Sequence, residues 1–140
     1  MDRRRYVRHP IRVPVSVRPA GGDLLMARSG DISEGGLSFE VPAALPLQST
    51  VEVELPVHHT RFKLTGTVVS CVAAEAVFRV GLSFVETGLQ FKMKLAEQVL
   101  RIDELRLELT KERGVEVTSR EAAQIWVERY AATFADLYGR

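Results

Sequence analysis

The sequence predicts a mainly β fold with an α-helical extension: a six-stranded antiparallel β-barrel followed by two C-terminal helices. Three observations carry this. Up to about residue 88, apolar residues recur in short runs of alternating polarity broken by Gly, Pro and Asp, the pattern of half-buried strands. Several such runs at near-regular spacing suit a closed or nearly closed antiparallel barrel. After Gly88 the period becomes helical and stays so to residue 140. We therefore divide the chain into residues 1–88, a β-barrel with an arginine-rich N-terminal arm, and residues 89–140, a helical extension packed on the barrel, on a partner, or on both. There is no internal repeat and no low-complexity segment.

Each strand has its own signal. Val13, Val15 and Val17 alternate with Pro14, Ser16 and Arg18, and Gly21-Gly22-Asp23 marks the following turn. Leu24 to Ser29 forms the second run. Leu37, Phe39 and Val41 form the third, and Val51, Val53 and Leu55 the fourth. Phe62, Leu64, Val68 and Val69 form a fifth run interrupted by Gly66, which predicts a bend or bulge. Phe78, Val80, Leu82 and Phe84 form the sixth.

The first helix is predicted from about Leu89 to Arg113, ending at Gly114, a residue type suited to the left-handed position just past a helix. Leu95, Ile102 and Leu109 recur every seventh residue, and Phe91, Gln98 and Leu105 form the offset series, so the six make one seam. A second apolar stripe of Met93, Ala96, Leu100 and Leu107 lies beside it. One stripe can pack on the barrel; the other needs a partner. The second helix opens on Thr118-Ser119-Arg120-Glu121, a capping-box pattern. Trp126, Tyr130, Phe134 and Tyr138 follow at i, i+4 spacing, with Ala123, Val127 and Ala131 on the adjacent strip. Core packing against the first helix is the expected role of this aromatic face, with self-association or effector docking as the other reading.

Bulk properties narrow the function classes. The chain has 140 residues, 46% of them hydrophobic and 26% charged, and a net charge of +1. That composition supplies one core and no global field for nucleic acid or membrane. Charge is nevertheless uneven: Arg3, Arg4, Arg5, Arg8 and Arg12 stand without an acid between residues 3 and 12. Cys71 is the one cysteine; it forms no disulfide framework and is expected to be a buried, inert thiol in a reducing compartment. No apolar run reaches the ~20 residues of a membrane span, and the N-terminus lacks the apolar stretch of a signal peptide, so the expected location is cytoplasmic. His9, His58 and His59 have no acid or cysteine at metal-site spacing, and no nucleophile–base order or phosphate-binding glycine loop stands out. The chain is expected not to be an enzyme and to need neither metal nor cofactor.

Two short motifs carry chemistry. Arg4-x-x-x-Arg8 lies within Arg3-Arg4-Arg5-Tyr6-Val7-Arg8-His9-Pro10, and Asp31-x-Ser33-x-x-Gly36 within Asp31-Ile32-Ser33-Glu34-Gly35-Gly36. Forked guanidinium groups pair with phosphate or with the O6/N7 edge of guanine, and stack on base planes. A carboxylate accepts from guanine N1–H and N2–H₂, and glycine lets a backbone or ligand come close. Each motif alone is weak, since a basic arm and an Asx-type turn are both common. Jointly they complement a guanine nucleotide with phosphates.

Their order and separation, Pro10 with Val13-Pro14-Val15, the Gly36-Leu37-Ser38-Phe39 exit, and the late Arg79-Val80-Gly81-Leu82-Ser83-Phe84 strand together resemble PilZ domains over about residues 3 to 86. The resemblance implies a PilZ-type barrel that binds cyclic di-GMP. It implies that Arg4 and Arg8 clasp the ligand from the N-terminal arm, Asp31 and Ser33 meet a guanine, and Gly36 permits the approach. Arg3, just before the first motif, resembles the family members that take a stacked ligand dimer. The function expected is a receptor or adaptor that turns second-messenger binding into a change in a protein-interaction surface, in motility, biofilm or surface-behaviour control. The alternative is a PilZ-type assembly protein in which nucleotide is secondary. Expected partners are cyclic di-GMP, an unidentified effector protein, and a second copy through the C-terminal helices. Nucleic acid is disfavoured because the arginine arm has no wider basic face.

Overall fold

A computed structural model describes residues 7–58 and 60–129. Six strands, β1 (Pro14–Pro19), β2 (Leu25–Ile32), β3 (Gly36–Val41), β4 (Thr50–Val57), β5 (Thr60–Ala74) and β6 (Val77–Phe84), are followed by α1 (Gly88–Arg113) and α2 (Ser119–Arg129). The strands close into an antiparallel barrel in the order β1-β2-β3-β6-β5-β4. Closure comes where β1 pairs with β4, Ser16 opposite Glu54 and Arg18 opposite Glu52. Closure removes the exposed edges that an open sheet would offer to other chains.

The alternation read from the sequence becomes the barrel interior. Val13, Val15 and Val17, with Leu37, Phe39 and Val41, and Val51, Val53 and Leu55, are all buried. Period-2 geometry requires this once each strand commits one face to the core. Two strands are longer than expected. β2 runs on through Gly30 and Asp31 to Ile32, and β5 continues past Gly66 to Ala74. The irregularity in β5 falls between Val68 and Ser70 rather than at Gly66. Gly66 instead answers to packing: a Cβ there would stand 2.5 Å from Leu82 Cγ and 3.0 Å from the Ser83 carbonyl oxygen.

The helices extend the same core. Phe91, Leu95, Gln98, Ile102, Leu105 and Leu109 are the buried residues of α1, the six seam residues of the heptad reading. Phe91 docks edge-on to Phe62 (5.3 Å between centroids) and Phe84 (5.5 Å), seating α1 against β5 and β6. Gln98 Oε1 accepts the His58 N–H at 2.8 Å and so ties α1 to the β4–β5 turn. Gly114 adopts φ 73° and its N–H returns to the Thr110 carbonyl, the αL ending that glycine permits. Thr118 Oγ1 accepts the Glu121 N–H at 3.1 Å, one half of the predicted capping box; the Glu121 carboxylate returns to the Thr118 hydroxyl (3.1 Å) rather than to its backbone N–H. Ala122, Ala123 and Trp126 bury the inner face of α2; Tyr130, Ala131, Phe134 and Tyr138 lie outside the described residues. Cys71 is turned inward, opposite the buried Val80, by the irregularity between Val68 and Ser70, but it is only half-buried, not the fully buried thiol expected.

Candidate functional site

The two motifs are brought together by a short pairing outside the barrel strands. His9 N–H donates to the Ile32 carbonyl and Ile32 N–H to the His9 carbonyl, both at 2.9 Å. Residues directly opposite in an antiparallel pair share a face, so this register sets Arg8 across from Ser33, with Asp31 on the same face two residues earlier. A second clamp lies farther along. The Ser29 hydroxyl, fully buried, accepts the Val13 N–H at 2.9 Å and donates to the Ile11 carbonyl, while Ser29 N–H donates to the Val13 carbonyl at 3.0 Å. The arm from His9 to Val13 is thus strapped along β2, and Arg8 leaves it at a fixed point.

The turn between β2 and β3 is built by Ser33. Its Oγ accepts the N–H groups of Gly35 (3.2 Å) and Gly36 (3.1 Å), and its own N–H donates to the Gly36 carbonyl at 2.9 Å. The hydroxyl proton is directed at the Gly36 carbonyl only at 3.4 Å, a long contact. It can turn to a ligand acceptor without breaking the turn. Asp31 is held by its backbone, whose N–H donates to Ser38 Oγ at 2.8 Å. Gly36 is required by the barrel itself: a Cβ there would lie 2.3 Å from the Leu82 carbonyl oxygen, a backbone atom.

Arg8, Asp31, Ser33 and Gly36 line one open groove of about 460 Å³, floored by β3, β6 and β5. All the predicted site residues that are described meet there; Arg3 and Arg4 lie outside the described residues. The floor is polar and low. Ser38 pairs with Gly81 and Gly36 with Ser83 across β3 and β6, and a Cβ on Gly81 would meet Ser70 Oγ at 2.4 Å.

Sequence reasoning missed Ser38 and Arg79, which reach the groove only through the β3–β6 pairing. Arg79 is paired with Glu40 at 3.3 Å. Asp31 and Arg79 also border a second groove that includes Arg12, Arg28 and Arg120, so Arg8 and Arg12, neighbours in the arm, serve different surfaces. His9 is held below its usual pKa by burial, with the nearby Glu34 carboxylate opposing the shift. Among the described residues no cluster of three or more His, Cys, Asp and Glu side chains could hold a metal, and no helix is long and apolar enough to cross a membrane.

A closed six-stranded barrel carries an arginine and an Asp-x-Ser-x-x-Gly turn in one groove. The PilZ domain model matches residues 2–101, well over half of the 140 residues, and the chain belongs to the PilZ family. No curated protein sequence matches it. Among solved structures it is similar to YcgR from Escherichia coli in complex with c-di-GMP, with TM-score 0.64, 20% identity, and coverage of 80% of this chain and 51% of that one. The isolated PilZ domain of YcgR with c-di-GMP matches with TM-score 0.57 and 18% identity over 81% of this chain and 98% of that one. The Bacillus subtilis inhibitor of motility MotI/DgrA matches with TM-score 0.63 and 17% identity, over 76% of this chain and 54% of that one. The chain thus spans about half the length of the MotI/DgrA chain and of the YcgR chain in complex with c-di-GMP.

Proposed function

We propose that this PilZ-family protein is a cyclic di-GMP receptor, without catalytic activity of its own, that passes ligand binding to a protein partner. The observation that carries the reading is the convergence of Arg8, Asp31 and Ser33 on one groove through the His9–Ile32 pairing. Arg8 supplies a bidentate donor for a phosphate or for guanine O6/N7. Asp31 accepts from guanine N1–H and N2–H₂. Ser33 holds the turn and keeps one proton to donate. Arg3 and Arg4 extend the arginine set from the arm, and Gly36 keeps the turn close to the floor. The fold shared with YcgR, solved with c-di-GMP, supports the ligand. The likeness to an inhibitor of motility leads us to place the output in motility, biofilm or surface-behaviour control.

Arg8→Ala and Asp31→Ala test the assignment by calorimetric titration with cyclic di-GMP. Each removes a hydrogen bond to a charged group, about 1.5–3 kcal/mol, so each lowers affinity about tenfold or more. Unchanged affinity in both variants would refute it.

A further inference from the structure

The groove that holds Arg8, Asp31 and Ser33 does not end at Asp31. It runs into the larger second groove, of about 650 Å³, through Asp31, Ser38 and Arg79, which line both. The passage is low because of the residues that make it. Gly30 lies against Ser38, whose Oγ would stand 2.8 Å from a Cβ on Gly30. Ser38 pairs with Gly81 across β3 and β6, and Gly81 with Ser70 across β6 and β5. A Gly-Ser-Gly-Ser row thus crosses β2, β3, β6 and β5 on the outer face of the sheet, with no side chain larger than serine in it.

The second groove repeats the chemistry of the first. Its barrel wall carries Arg12 from the arm and Arg28, which shares the outer face of β2 with Gly30. Neither guanidinium makes an ion pair among the described residues, whereas Arg79 beside them is paired with Glu40. The opposite wall is α2, with Arg120, Glu121, Gln124 and Glu128. Glu121 is engaged by the Thr118 hydroxyl at the start of the helix. Glu128 takes one hydrogen bond, from Gln124 Nε2 at 2.9 Å, and a carboxylate can accept several more. The barrel wall, Arg12, Arg28 and Arg79 against Asp31 and Glu40, is positive in excess; the α2 wall, Arg120 against Glu121 and Glu128, is negative in excess. A simple anion would gain from one wall and be repelled by the other. A group with a phosphate at one end and N–H donors at the other gains from both.

Cyclic di-GMP is built of two such units, two guanosines joined by two phosphodiesters, and Arg8 with Asp31 serves only one of them. Resting on the receptor reading above, we propose that the groove between the barrel and α2 takes a second guanylyl unit. Arg12 and Arg28 bind its phosphate, and Glu128 accepts from the N1–H and N2–H₂ edge of its guanine. The Gly-Ser row lets bound nucleotide lie across the sheet from one groove into the other. The ligand then touches α2 directly, and binding reaches the C-terminal helices by contact.

Calorimetric titration of the full chain with cyclic di-GMP tests this in Arg28→Ala, Glu128→Gln and the parent. Arg18→Ala is the control for net charge, since Arg18 is exposed on β1 and lines neither groove. Arg28→Ala and Glu128→Gln should each weaken binding about fivefold or more, for a charge-assisted hydrogen bond lost in an open groove. Arg18→Ala should stay within about twofold of the parent, because salt screens a distant charge. Weaker binding at unchanged stoichiometry supports the proposal with both units in one molecule; loss of one equivalent supports it with the second unit in another. Glu128→Gln is the sharper variant. It removes a negative charge, so a groove that held phosphate alone would bind more tightly. All three positions are exposed, and an unchanged circular-dichroism melt confirms folding; should Arg28→Ala melt early, Arg12→Ala replaces it. Parent-like affinity and stoichiometry in a folded Arg28→Ala, or tighter binding in Glu128→Gln, would overturn the proposal. The receptor reading would survive that result if Arg8→Ala still weakens binding, whereas a parent that binds no cyclic di-GMP would overturn both.

Discussion

Replacing Ser29 by alanine tests the strap that fixes Arg8. In the native chain the Ser29 hydroxyl satisfies the Val13 N–H and the Ile11 carbonyl, and Ser29 has no exposed surface. Alanine removes one oxygen and leaves two backbone groups without that partner. An orphaned buried donor or acceptor costs about 1–3 kcal/mol, so the pair predicts a loss of about 2–6 kcal/mol, a large share of a small domain's stability. Urea unfolding should show this as a lower midpoint with an unchanged slope, since the exposed surface on unfolding is the same. The loss also has a place in the molecule. Amide exchange should accelerate first in residues 8 to 13, and affinity for cyclic di-GMP should fall although Ser29 does not line the groove. A variant as stable as the parent, or destabilised with full affinity and unchanged exchange in the arm, would refute the view that this hydroxyl positions Arg8.

Other perturbations separate the parts of the account. Gly36→Ala should cost about 2 kcal/mol or more, because its Cβ meets the Leu82 carbonyl at 2.3 Å and backbone cannot give way; a melt within a degree of the parent would contradict this. His9 is favoured in its neutral form when folded, since burial lowers its pKa. Its contribution to stability is therefore intact above the unfolded value of ~6.5 and is lost as pH falls through the folded one. His9→Gln should flatten this acid-side loss in chemical denaturation series, and an identical pH profile in the variant would exclude His9 as its source. Trp126→Ala should destabilise by about 3–5 kcal/mol if α2 closes the core over α1, leaving the groove residues untouched. Calorimetric stoichiometry should be about two ligands per chain, falling to about one in Arg3→Leu, because a stacked pair brings extra phosphate charge for an extra guanidinium; a parent stoichiometry of one would count against Arg3 as a ligand residue.

The parts legible in the sequence were those set by local periodicity. The alternation of Val13, Val15 and Val17, or of Leu37, Phe39 and Val41, needs only neighbouring residues to declare a face, and the heptad spacing of Phe91 to Leu109 likewise declared the inner side of α1. What escaped depended on pairing. Gly30-Asp31 reads as turn chemistry, yet it lies in β2 because Ser38 accepts the Asp31 N–H and His9 pairs with Ile32. Ser70 to Ala74 carries no clean alternation, and its strand character comes from β6 beside it. Of the site, Arg8, Asp31, Ser33 and Gly36 were legible through their motifs. Arg79 and Ser38 were not, since only the β3–β6 register brings them to the groove. The motif also concealed a division of labour: Ser33 and Gly36 build the turn, while Arg8 and Asp31 line the groove beside it.

The central claim is that this groove is selective for cyclic di-GMP. Isothermal titration of the full chain, with cyclic di-GMP in one series and linear GMP and ATP in parallel series, tests it most directly. The account predicts saturable heat with cyclic di-GMP, far weaker binding of GMP and none of ATP at the same concentrations, because GMP brings only one guanine and one phosphate to the contacts that the dinucleotide makes, and ATP has no guanine edge for Asp31. No heat with cyclic di-GMP, or equal binding of ATP, would contradict it.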